Sequence, residues 1–176
     1  NSSGTTGSIT SQHFLWSEEF YLNHAQRLFE KEYGPLSDFH VLALLPAYLE
    51  RPGSSLVAMA SHFIQESKSE ASGFYLYNQQ ELLQRLQELS QGSRKVLLLG
   101  VTFALLDLAE SQAVFQGFPN LIVMETGGMK GRRREMIREE VHQRLRAFFK
   151  VEQIHSEYGM TEQLSQVYSK GNGKYL

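Results

Sequence analysis

Val41-Leu42-Ala43-Leu44-Leu45 is an unbroken apolar run, stopped by Pro46. A strand with no polar position has no solvent face. The run therefore predicts a strand covered on both sides, as in a parallel sheet. The same reading extends outward in both directions. Lys95 to Leu99, closed by Gly100, and Leu121-Ile122-Val123-Met124 are further buried strands. Gly73 to Tyr77 is a short one, and Gln153-Ile154-His155-Ser156 can be one more.

Helical patterns fill the gaps. Ser17-Glu18-Glu19 has the form of a helix start, with a cap and two acids in the first turn. Phe20, Tyr21, Ala25, Leu28 and Phe29 then share one face, and Gly34-Pro35 ends the helix. Ser54-Ser55 can cap a helix whose apolar face is Leu56, Met59, Ala60, Phe63 and Ile64. Leu82, Leu83, Leu86 and Leu89 form the next stripe. Phe103 to Ala109 is apolar almost all round, which places a short helix in the core. Ile137, Val141, Leu145, Phe148 and Phe149 make one face of a charged helix, with Glu140 and Arg144 paired one turn apart on its exposed side. Gly171-Asn172-Gly173 between Val167 to Lys170 and Lys174-Tyr175-Leu176 is a hairpin pattern. The expected fold class is α/β: a mostly parallel sheet flanked by helices, with a short C-terminal hairpin.

The 176 residues are 41% hydrophobic and 20% charged, with a net charge of −2. That is enough chain for one domain with its own core, and the charge gives no reason to expect nucleic acid or an anionic membrane. No apolar run is long enough to span a bilayer, and there is no secretory leader pattern, so a cytoplasmic setting is expected. Cysteine is absent, which excludes disulfides, thiolate metal sites and a cysteine nucleophile within these residues. The six histidines show no metal-ligand spacing. Lys130-Gly131-Arg132-Arg133-Arg134 reads as a solvated basic run.

Three segments carry chemistry. Asn1-Ser2-Ser3-Gly4-Thr5-Thr6-Gly7 is rich in hydroxyls and glycine, the composition of an anion nest or of a linker. It lacks the Gly-Lys-Ser/Thr of the common P-loop. Glu125-Thr126-Gly127-Gly128-Met129-Lys130-Gly131 follows a strand, and its paired glycines either let a flat ring or a phosphate approach the backbone or serve a turn. Tyr158-Gly159-Met160-Thr161-Glu162 combines a ring for stacking, a hydroxyl for phosphate and a carboxylate for a hard cation; it is otherwise a turn with an N-cap.

In this order and spacing, the three segments resemble the phosphate loop, the adenine-side glycine turn and the Tyr-Gly-x-Thr-Glu motif of the adenylate-forming superfamily of acyl and aryl synthetases. Glu125 to Arg132 is further similar to the acyl-protein synthetase branch of bacterial bioluminescence. So are Leu42 to Pro46 with Glu50-Arg51, and Ser165-Gln166 with Tyr168 to Gly173. The resemblance covers most of the chain.

It implies an ATP-dependent ligase that activates a long-chain fatty acid as acyl-adenylate and passes it to a protein thiol, feeding a partner fatty-acid reductase. The cofactors implied are ATP and Mg²⁺. Ser2, Ser3, Gly4, Thr5, Thr6 and Gly7 would cradle the β- and γ-phosphates. Gly127 and Gly128 would line one face of the adenine and Tyr158 the other, with Gly159 and Met160 in the same nucleotide-binding run. Thr161 would contact the α-phosphate, Glu162 would bind Mg²⁺, and Tyr48 would fall near the carboxylate pocket.

The chain departs from the pattern in places. Ser8 stands where relatives often have Lys or Arg. The small C-terminal domain with its catalytic lysine, the ribose-binding Asp and the acceptor Cys are not among these residues. The expectation is one fragment, 1–176, of an adenylation domain, inactive alone and prone to self-association. A carboxylate–coenzyme A ligase of the phenylacetate type and a non-catalytic nucleotide-binding module are the alternatives.

Overall fold

The computed structural model describes residues 18–46, 54–76, 78–111, 114–127, 136–160 and 165–171. Helix α1 (Glu18–Tyr33) leads through a 3-10 turn (Leu36–Asp38) into strand β1 (Phe39–Leu44). There follow α2 (Ser55–Ser67), β2 (Gly73–Tyr75), α3 (Gln79–Leu89), β3 (Lys95–Gly100), α4 (Thr102–Ala109), β4 (Leu121–Glu125), α5 (Arg138–Phe149), β5 (His155–Met160) and β6 (Ser165–Ser169). The six strands form one sheet in the order β2-β1-β3-β4-β5-β6. Every neighbouring pair from β2 to β5 is parallel, and β6 closes the sheet antiparallel to β5. The α/β class, the parallel sheet and the terminal hairpin are as expected from the sequence.

Local chemistry sets the element ends. Ser54 caps α2, its hydroxyl accepting from the Val57 N–H. Asn78 caps α3 by accepting from the Glu81 N–H, while its own amide donates to the Glu81 carboxylate. The first bond satisfies one of the donors that a helix start leaves unpaired, and the second ties the two side chains together. At the end of α1, Gly34 takes φ +95°, a conformation that side chains disfavour, and its N–H donates to Glu30 O.

Right-handed crossovers put α3, α4 and α5 on one face of the sheet and α2 on the other, where α1 packs against it. On the α1/α2 face Phe29 is fully buried; it stacks on Tyr33, tilts against Phe63 and meets Phe39 and Tyr168 edge-on, at centroid distances of 4.8–5.9 Å. On the opposite face Phe115 packs on Phe148 and Phe149. Helix α4 is buried nearly all round, as its composition predicts. None of the described helices is long and apolar enough to cross a membrane.

Some local expectations need correction. Phe20 is 60% exposed and Ile137 68% exposed, so neither joins its expected stripe. Ile137 stands outside α5 as its cap residue, in extended conformation, so the helical period does not apply to it. β5 runs from His155 to Met160, not from Gln153 to Ser156. Tyr158, Gly159 and Met160 therefore lie within a strand rather than in a turn after one. The antiparallel hairpin among the described residues is formed by β5 with β6; the arm expected at Lys174 to Leu176 lies outside the described residues.

Candidate functional site

In an open parallel sheet, ligands collect at the carboxyl ends of the strands, where loops and helix starts converge. Here that edge is tied together beyond the last strand pairs. Val101 N–H donates to Leu44 O at 3.3 Å, and Thr126 N–H to Gly100 O at 3.0 Å. Thr102 N–H, at the start of α4, reaches Gly127 O at 3.4 Å. The chain leaving β4 is thus folded back over the beginning of α4. Gly127 makes this bend with φ +73°, and among the described residues nothing lies within 4 Å of where a Cβ would be. Conformation, not crowding by those residues, calls for glycine here.

Glu125, the last residue of β4, is buried beneath the turn. Its Oε2 accepts from Thr102 Oγ1 at 2.8 Å and from the Gly127 N–H at 2.7 Å. Its Oε1 accepts from Ser156 Oγ at 2.6 Å. Arg138 and His142 of α5 stand at 3.8 and 3.7 Å from the same oxygen, ion-pair rather than hydrogen-bond distances. Burial alone would raise this carboxyl. The His142, Ser156, Thr102 and Gly127 contacts outweigh burial and hold it at about 2, so it is a carboxylate at neutral pH.

β5 stands beside β4 in parallel, with Glu125 opposite Ser156. Beyond that pair β4 ends and its chain turns at Gly127 towards the start of α4, while β5 continues through Tyr158 to Met160. Tyr158 is 54% exposed, so part of its ring faces solvent.

Alternation along the strand sends Glu157 to the opposite, buried face. Its Oε1 accepts from Gln166 Nε2 at 3.0 Å, and Gln166 also touches Met59 Sδ. Burial, opposed by the Gln166 bond and reinforced by the Glu125 charge, pushes this carboxyl up to about 7. A Cβ at Gly159 would come within 2.9 Å of Glu157 Oε1. Glycine in the Tyr-Gly-x run thus makes room for a buried carboxyl.

A cavity of about 120 Å³ opens further along the edge, between Leu44 at the end of β1 and Pro46 after it, Leu76 after β2, and Phe103, Ala104 and Asp107 of α4. It is smaller than the roughly 300–1,000 Å³ that encloses a drug-sized ligand.

Among the expected site residues, Gly127 lies in the turn after β4, and Tyr158, Gly159 and Met160 lie in the neighbouring strand β5. Ser2, Ser3, Gly4, Thr5, Thr6, Gly7, Tyr48, Gly128, Thr161 and Glu162 lie outside the described residues. No group of three potential metal ligands occurs among the described residues. Sequence reasoning quoted Glu125 without giving it a role and passed over Thr102, Ser156 and Glu157. An acid closing the apolar run Leu121 to Met124 was the available signal for Glu125.

No protein-family model matches the chain, and no curated protein does. Solved structures share its fold, among them two of one ligase. Coronafacic acid ligase from Pectobacterium brasiliense is 18% identical over 86% of this chain, with a TM-score of 0.52. A single-substitution mutant of that ligase is 19% identical at the same coverage and TM-score. The chain spans 28% of the length of either.

Proposed function

We propose that this chain is part of the nucleotide-binding domain of an adenylate-forming ligase, and that it binds ATP at the carboxyl edge of β4 and β5. The observation that supports the reading is a positive-φ turn at Gly127, directly after β4, together with a half-exposed Tyr158 ring in the neighbouring strand β5. A base is held by one flat, uncrowded surface and one aromatic surface, the roles proposed here for Gly127 and Tyr158. The fold shared with a protein named as an acid ligase supports the same direction.

In the finer form of the proposal, the acid is a long-chain fatty acid and the acceptor a protein thiol, with a fatty-acid reductase as partner. A carboxylate oxygen attacks the α-phosphorus of ATP, the bond to the β-phosphate oxygen breaks, and pyrophosphate leaves. No general base is needed, because a carboxylic acid is ionised at neutral pH. Gly127 and Tyr158 hold the base. Gly128, Thr161, Glu162 and the Ser2 to Gly7 loop are proposed to complete the nucleotide site. Mg²⁺, held at Glu162, would neutralise the charge of the departing pyrophosphate.

Calorimetric titration with ATP, with and without Mg²⁺, tests the nucleotide part, and Tyr158→Ala tests its placement. Loss of a stacked ring costs about 1–3 kcal/mol, so the variant should bind ATP roughly 5- to 150-fold more weakly. ATP binding that Tyr158→Ala leaves unchanged would contradict the proposed seat of the base. Long-chain fatty-acid-dependent exchange of labelled pyrophosphate into ATP, by a protein that contains this chain, tests the acid.

A further inference from the structure

We infer that Glu125 is the positioning residue of the nucleotide turn, its buried carboxylate holding the Gly127 amide, and with it the surface against which a base would lie. The inference rests on the nucleotide-site reading and adds a residue to which that reading gave no role.

The geometry separates what packing does from what the carboxylate does. Among the described residues nothing lies within 4 Å of a Cβ at Gly127, and none of their side chains wedges against that side of the turn. What fixes the turn among the described residues is hydrogen bonding: Thr126 N–H to Gly100 O, the long contact from Thr102 N–H to Gly127 O, and the short bond from Gly127 N–H to Glu125 Oε2. The last is the shortest and the charge-assisted one, the stronger kind.

The carboxylate is itself held. Thr102 ties it to α4 and Ser156 ties it to β5, while the Arg138 guanidinium of α5 supplies a counter-charge at 3.8 Å and His142 stands at 3.7 Å. The turn is therefore referred to three other elements through one side chain. Its two oxygens divide the work. Oε2 serves the turn and α4, and Oε1 serves β5 and α5. Because Gly127 N–H is spent on Glu125, it is not a donor for a ligand. What the turn offers a base is its surface and its remaining backbone.

Replacement chemistry gives a sharp test. In Glu125→Gln the carbonyl oxygen can still accept from Gly127 N–H and Thr102. The new amide group can donate to Ser156, whose hydroxyl can turn to accept. Glu125→Ala removes the anchor. Glu125→Asp keeps the charge but is one methylene too short to serve both sides.

The experiment is ATP titration of the parent and the three variants, with the Gly127 amide proton followed by NMR and folding checked by circular dichroism. The inference expects ATP affinity at least about 10-fold weaker in the Ala and Asp variants and within about 3-fold of the parent in the Gln variant. It also expects a low-field Gly127 amide proton in the parent that moves upfield in Gln, with or without ATP. A folded Ala or Asp variant that binds ATP as the parent does overturns the inference. So does a Gln variant as weak as the shortened ones, or a Gly127 resonance indifferent to residue 125. If Ala does not fold, Asp and Gln decide between the same outcomes. Absence of ATP binding by the parent itself is a different result: it overturns the nucleotide reading, and this role with it.

Discussion

Gly127 sits at φ +73° with none of the described residues within 4 Å of a Cβ, so its substitution separates conformational cost from steric cost. Gly127→Ala should destabilise the fold by about 1–2 kcal/mol, the penalty of a side chain in the left-handed region. Urea unfolding checks this. The added methyl also stands where a base would approach, so ATP affinity should fall. Glu157 makes a prediction of the opposite kind. Its carboxyl is raised from 4.5 to about 7 by burial. Between those values the fold holds a proton that the unfolded chain has released, so stability falls as pH rises through the window. The loss is about 3 kcal/mol, complete above pH 7. Glu157→Gln carries no such proton. From pH 5 to pH 8 its unfolding free energy should decline less than the parent's, by roughly that amount. Equal declines would show that Glu157 is not held neutral. Glu125 has the reverse sign: its stabilisation is full above pH 4.5 and is lost as pH falls towards 2.

At the scale of elements, the α1/α2 layer depends on Phe29, which meets rings from α1, β1, α2 and β6. Phe29→Ala should cost about 3–5 kcal/mol, because the cavity is walled by the sheet and cannot collapse. A change below about 1 kcal/mol in chemical denaturation would show that this layer is not part of the cooperative core. The elements that were legible in the sequence are those whose own residues decide them. The runs in β1, β3 and β4 have no polar face to expose, and α4 has none either, so burial and period agreed. β5 was not legible in this way. His155-Ser156-Glu157-Tyr158-Gly159-Met160 has no apolar run and a glycine near its end. It is a strand because β4 pairs its first residues and β6 pairs its last five. Tertiary pairing overrode local propensity there. The same limit hid the Glu125 cluster, since Thr102 and Ser156 stand 23 and 31 positions from it in sequence.

At the scale of the molecule, the sheet order turns two distant sequence segments into neighbours. Glu125, which ends β4, stands opposite Ser156 in the adjacent parallel strand β5, and its carboxylate is bonded across to that residue. Order along the chain suggests that the segments after Glu125 and after Ser156 belong to one site; the parallel pairing makes their strands neighbours. The most direct measurement is an ATP titration of the isotopically labelled protein in Mg²⁺ buffer, followed through the backbone amides of Gly127, Tyr158 and Gly159. The account predicts saturable shifts at all three that vanish together in Tyr158→Ala while the rest of the spectrum stays folded. A folded protein whose spectrum does not move with millimolar ATP, or moves only away from these strand ends, would contradict it.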